Sequence, residues 1–267
     1  MSSESWAVVE PDVIELESVR SVRVGLIGGR VDVIGRDEPG ARIEVHRVTG
    51  RPLEVSLVDG ELKVGYPSTL GSWEGLLDRL RAFVSREDAA DLHLAVPREV
   101  AVRLGTVTAD GLLADVGGPA SVTTVSGVLV TDSTRGSLSA RSVSGDLVLR
   151  GHGGALDATS VSGSITASGR LGDVDVSTVS GQVTVDAERI GALGVRTVSA
   201  DATVRVPAGL GLSVGGQSVS GRVVVDGVDH RNHGPGGGSF AATVGDGACR
   251  VRVSTVSGNV TVLRAGA

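Results

Sequence analysis

Aromatic side chains are almost absent from this sequence: two tryptophans, one tyrosine and two phenylalanines in 267 residues. Carbohydrate sites favour aromatic platforms, and the repetitive part of the chain has none before Phe240. Cysteine occurs once, at Cys249, so no intrachain disulfide can form and nothing demands an oxidising compartment; the residue reads as a small buried hydrophobe. Lysine also occurs once, at Lys63, among 25 basic residues, a bias attributed to genome base composition. There is no basic run, and 31 acidic residues bring the net charge to −6, which argues against nucleic acid or anionic lipid as the main partner. Residues 1–10 have no basic or apolar signal-peptide region, and no apolar stretch is long enough to span a bilayer, so a cytoplasmic location is expected.

Glycine, by contrast, is abundant: 40 residues, about twice the usual ~7%, without the three-residue period of collagen. A hydrophobic fraction of 40% against 21% charged excludes wholesale disorder.

Val-Ser-Gly, or a near variant, recurs with its serine at 126, 144, 162, 180, 199, 220 and 257, at intervals of 18, 18, 18, 19, 21 and 37. A valine always precedes the serine, and the column Val125, Val143, Val161, Val179, Val198, Val219 and Val256 is expected to point inward. Apolar residues recur three and five positions after the serine, as in Leu147 and Leu149, and six and four before it, as in Leu156 and Ala158. Each period therefore holds two half-buried strands. An 18-residue unit cannot bury its own inner face, whereas stacked copies put like residues above like at about 4.8 Å. The predicted fold is all-β, a parallel β-solenoid of about 18-residue coils; an antiparallel barrel or sandwich is the competing reading.

The amino-terminal part keeps a weaker version of the pattern in Ile27-Gly28-Gly29-Arg30-Val31-Asp32-Val33 and in Val58-Asp59-Gly60-Glu61-Leu62-Lys63-Val64. Between them and the repeats, Trp73, Leu76, Leu77, Leu80, Phe83 and Val84 fall at helical spacing behind a possible N-cap, Ser72, which predicts one short amphipathic helix over 72–84. It reads as a cap over solenoid edges. The expected organisation is irregular β coils over 1–105 and the regular solenoid over 106–267, continuous with the first part.

Thr124-Val125-Ser126-Gly127, Ser142-Val143-Ser144-Gly145-Asp146-Leu147 and Thr178-Val179-Ser180-Gly181-Gln182-Val183-Thr184-Val185, with the early Ile-Gly-Gly-Arg-Val-Asp-Val, resemble the bacterial putative-adhesin family of β-strand-repeat proteins, or toastrack domains, in its actinobacterial form. The resemblance spans 22–263. It implies a cell-envelope or surface-linked module with no catalytic motif, although this sequence shows no secretion signal or membrane anchor.

Three groups of residues are candidate sites. Ser126, Ser144, Ser162 and Ser180, and the Ser or Thr two positions before each repeated serine, are expected to form two outward hydroxyl ladders, structural or an interaction face. No histidine recurs with the serines, so a hydrolase reading lacks its base. Asp157, Asp173 and Asp175 are the nearest approach to the carboxylate groove of a β-helix lyase or hydrolase and read as a solvated face. His230 and His233, with Asp226 and Asp229 upstream, are weak metal candidates in a segment that reads as a loop.

The expectation is a non-catalytic structural or interaction module without cofactor, with a carbohydrate-binding or carbohydrate-cleaving β-helix as alternative. A protein partner or self-association is expected at the carboxy-terminal edge, unless the 226–247 segment folds over it.

Overall fold

A computed structural model describes residues 3–66, 69, 88–230 and 238–265. They form twenty-four β-strands and, among the described residues, no helix. The helix expected over 72–84 lies outside the described residues. The chain divides into two compact units, Met1–Ser137 and Leu138–Ala267. The change of regularity read from the sequence falls earlier, at 105/106.

In the carboxy-terminal unit, like residues of successive repeats lie opposite one another. Leu147–Ser160 pairs in parallel with Ile165–Thr178, Leu147 facing Ile165 and Ser160 facing Thr178. Ile165–Thr178 in turn pairs in parallel with Val183–Arg189 and with Ala192–Thr197. The strands before and after each Val-Ser-Gly thus build two parallel ladders. Leu147–Ser160 bends at a bulge where Gly151 and Gly154 adopt φ of 59° and 150°, values that favour glycine, and His152 is buried there.

Burial alternates along these strands, with Leu156, Ala158, Val174, Val176, Ile165, Ala167, Val183 and Val185 inside. Each such side chain contributes up to roughly 1.5–3 kcal/mol when it is a full Val, Leu or Ile. Alternation breaks at the bulge of Leu147–Ser160 and again at the corner. In Thr178-Val179-Ser180-Gly181 the threonine and glycine are buried, and the valine and serine between them are exposed. The inward valine column is therefore corrected: Val161, Val179 and Val198 are 47%, 44% and 44% exposed. The Ser or Thr two places before the serine is corrected in the opposite sense, since Thr124, Ser142, Ser160, Thr178, Thr197 and Thr255 are buried.

The stacking order departs from the chain order. Cys249–Thr255 lies between Ala192–Thr197 and Leu212–Ser218, parallel to both. Val260–Ala265 likewise lies between Ala202–Pro207 and Val223–Val225. The last repeat is thus inserted between two earlier ones, and the open carboxy-terminal edge expected from the sequence is replaced by a strand paired on both sides. The edge belongs instead to the 212–225 repeat, and two described strands of the 226–247 segment pair with it. Gly238–Val244 pairs antiparallel with Leu212–Ser218, and Val228–Asp229 with Val223–Val225.

The amino-terminal unit uses the same parallel logic with longer excursions. Ser21–Leu26 lies parallel to Glu61–Gly65 and to Ala101–Thr106, and Gly28–Arg36 lies parallel to Ala89–Pro97 and to Asp110–Ala114. From Ala101 onward the 18-residue offset appears, Val102 facing Ala120 and Gly111 facing Leu129. Antiparallel neighbours then protect the other edges: Ala41–Thr49 on Ala89–Pro97, and Leu53–Val58 on Glu61–Gly65.

Candidate functional site

The corner of the repeat is built from four positions with four different tasks. The Ser or Thr at its start turns inward and, except at Ser160, whose buried hydroxyl has no partner among the described residues, closes the corner within its own rung. Thr197 Oγ1 donates to the Ala200 carbonyl at 2.8 Å, Thr255 Oγ1 to Gly258 O at 2.8 Å and Thr124 Oγ1 to Gly127 O at 3.1 Å, while the Gly181 amide donates to Thr178 Oγ1 at 3.1 Å. Ser142 makes the equivalent bond to Gly145 O. These hydroxyls satisfy buried backbone groups that the bend removes from the ladders.

Valine and serine follow, both outward, and their amides bond the rung below. The Ser162 amide donates to Val143 O, Ser180 to Val161 O, Ser199 to Val179 O, Ser257 to Val198 O and Ser220 to Val256 O. The serine hydroxyl reaches the same carbonyl, at 3.2 Å for Ser162 and 3.3 Å for Ser180. In the amino-terminal unit Ser126 does this to Val107 O at 3.2 Å. Ser126, Ser144, Ser162 and Ser180 are all exposed. The exposed valines stack with them in the order Val161, Val179, Val198, Val256, Val219.

The glycine is demanded by proximity rather than by a left-handed φ. A Cβ at Gly163 would fall on the Gly145 carbonyl, at Gly181 on that of Gly163, and at Gly258 on that of Ala200. Two residues after the serine comes a task that the sequence reading missed. Asp146 and Asp201, and Asp110 two residues after Thr108, accept from the amides of Ser164, Asn259 and Val128 at 2.8–2.9 Å, linking three pairs of neighbouring corners. The recurring Asp or Asn at that position, as in Asp146, Asp201 and Asn259, was the available signal.

The remaining candidates do not join this ladder. Asp157 and Asp175 face each other on neighbouring rungs, but Arg196 binds Asp175 at 3.0 Å. His230 is half-buried, its amide donating to Val223 O, and Asp229 is held by Arg222 at 3.5 Å. His233 lies outside the described residues. Among the described residues no group of three or more His, Cys, Asp or Glu is placed to hold a metal ion. Cys249 is buried, and burial pushes its thiol pKa up.

A second buried polar cluster sits in the amino-terminal unit. Asp88, 1% exposed, accepts from the Arg51 amide at 2.9 Å and from its Nε at 2.8 Å, and the Arg51 guanidinium lies 5.8 Å from the centre of the Tyr66 ring. Burial, reinforced by the Asp88 charge, pushes the Tyr66 phenol up to about 12. Because Tyr66 is the sole tyrosine, absorbance at 295 nm should report one phenol ionising near pH 12 in the folded protein. Above pH ~10 the unfolded chain releases that proton while the folded one keeps it. Stability conferred by the protonated phenol is therefore intact below pH ~10 and falls as pH rises towards 12. Ionisation at the ordinary tyrosine value in native protein would contradict this burial.

No protein-family model matches the chain, and no curated protein matches it. Among the described residues no helix is long and apolar enough to cross a membrane. Two solved structures are similar to this chain over nearly its whole length. One is a putative adhesin from Bacteroides fragilis, 11% identical, with 98% of this chain and 96% of that one covered and a TM-score of 0.40. The other is a putative cell adhesion protein from Clostridium sporogenes, 12% identical, with 99% and 100% covered and a TM-score of 0.27.

Proposed function

We propose that this chain is a parallel β-solenoid of the putative-adhesin type acting as a structural or interaction module without catalytic activity. The observation that carries the reading is the corner ladder, in which Val161, Val179, Val198, Val256 and Val219 expose 44–58% of their surface on successive rungs. A core-building repeat has no packing reason to expose a β-branched apolar residue in five successive rungs, whereas a partner surface with a matching repeat would bury it. The serines beside the valines support a non-catalytic role. Ser126, Ser162, Ser180, Ser199, Ser220 and Ser257 each spend the hydroxyl on a neighbouring carbonyl, an arrangement repeated from rung to rung and unlike a single activated nucleophile.

Changing Val161, Val179, Val198 and Val256 together to serine should leave the melting temperature within a few degrees, because surface substitutions are usually within ±0.5 kcal/mol each. The same change should abolish capture of a defined partner from extracts of the native cell. Capture undiminished by the four substitutions, or turnover of a polysaccharide, ester or peptide by the purified chain, would overturn the reading.

A further inference from the structure

On the outer face of the carboxy-terminal unit, away from the corner, lies a groove of about 790 Å³ lined by Asp173, Asp175, Arg196, Arg250, Arg252 and Gln217, with small residues between them. Its form follows from the inserted repeat. Cys249–Thr255 presents Arg250 and Arg252 outward, and the strands on both sides present small residues opposite them. Arg252 stands between Gly194 and Gly215, and Arg250 between Ala192 and Ser213. Beyond Gly215 the next residue across is Ala241. Two guanidinium groups on one strand thus rise beside a floor kept low at Gly215, while on the other side the Asp175 carboxylate, itself held by Arg196, lies over Gly194. Strand glycine commonly marks a place where a ligand or another backbone comes close.

The charges within the groove are not self-cancelling. Arg196 is committed to Asp175 at 3.0 Å and to Ser177 Oγ at 3.3 Å. Asp173 sits at the far end, separated from Arg250 by the width of the Ala192 strand. The Arg250 and Arg252 side chains have no ion pair or hydrogen bond among the described residues. Alternate residues of a strand are about 7 Å apart on one face, so the two arginines offer two forked donor sets at that spacing. Arginine is suited to planar bidentate recognition of carboxylate and phosphate oxygens. The concavity is of the size that holds a small ligand.

We propose that this groove binds a ligand carrying two oxyanion groups, carboxylate or phosphate, one on Arg250 and one on Arg252. The inference does not rest on the valine ladder, which occupies the corner and can fail without it. Asp173 and Asp175 orient the ligand by repelling its anionic groups from their end. Gly215 leaves the floor open: a Cβ there would meet nothing nearer than the Phe240 carbonyl oxygen at 3.6 Å, so a larger side chain can be introduced to fill the space.

The test is isothermal titration of the full chain, at low salt, with adipate as dicarboxylate and with inorganic pyrophosphate. One-to-one binding of either anion is expected, and the arm that binds more tightly identifies the oxyanion. Affinity should fall about tenfold in Arg252→Gln and further in the Arg250→Gln/Arg252→Gln double variant. It should be lost in Gly215→Leu, which leaves both charges in place, and kept in Arg205→Gln, whose arginine lies outside the groove. Unchanged binding in the double variant, or no heat from either anion at about 10 mM with a protein of native melting temperature, would overturn the proposal.

Discussion

Removing residues 249–267 should destabilise the carboxy-terminal unit as a whole rather than fray one end of it. The last repeat is clasped on both sides, its first strand between Ala192–Thr197 and Leu212–Ser218 and its second between Ala202–Pro207 and Val223–Val225. It brings Cys249, Val251, Val253, Val260 and Val262 into the core, each no more than 2% exposed. At roughly 1.5–3 kcal/mol per buried side chain, their gross contribution is on the order of 8–15 kcal/mol. That is comparable to the whole stability of a typical domain, about 5–15 kcal/mol. The deletion also strips hydrogen-bond partners from four strands at once. Hydrogen exchange should show 192–207 and 212–225 losing amide protection together, with a large fall in melting temperature. A truncated protein that melts within a few degrees of the full chain would contradict the inserted position of the last repeat.

Gly163→Val is expected to be strongly destabilising. Valine suits strands by propensity, so a local view predicts a gain. Stacking predicts the reverse, because the Cβ would fall on the Gly145 carbonyl of the rung below, and Gly181 approaches Gly163 in the same way from above. Neither neighbour is a movable side chain. Separating the rungs to admit the methyl groups breaks corner hydrogen bonds in both directions, at a cost of about 3 kcal/mol or more. Gly215→Val is the matched control: with 3.6 Å to the nearest atom, it should change stability by less than about 1 kcal/mol. Equal effects on the two thermal melts would rule out close approach as the reason for the corner glycine.

Much of this architecture was legible in the period. Apolar residues at fixed distances from Ser144, Ser162 and Ser180 marked both strands of the rung, and Leu147, Leu156, Ile165 and Val174 are buried where that alternation placed them. The corner was misread because period-two logic was started afresh from the valine. Carried forward instead from Val174 and Val176, the alternation reaches Thr178 as an inward residue, and a reversal across Val179-Ser180 then brings Gly181 and Val183 inside. A buried hydroxyl is hard to see in sequence, since its acceptor is a backbone carbonyl three residues on rather than another side chain. The insertion of the last repeat was invisible for a different reason. The phases of Ser199, Ser220 and Ser257 are the same whichever order the rungs stack in, so periodicity fixes what lies opposite what within a column and not the sequence of the column. The arginine groove depends on that order: Arg252 has glycine on both sides only because its repeat stands between 192–197 and 212–218.

Thiol reactivity measures directly which residues of the repeat face outward. The sole cysteine, Cys249, is buried and can be replaced by alanine to give a silent background. Cysteine is then introduced at Val179, 44% exposed, or at its neighbour Thr178, 5% exposed, and native protein is treated with a maleimide reagent. Val179→Cys should label at a rate close to that of the unfolded chain, and Thr178→Cys should remain protected until denaturant unfolds the protein. Protection of Val179→Cys together with rapid labelling of Thr178→Cys would restore the inward valine column and contradict the outward Val-Ser ladder on which the proposed function depends.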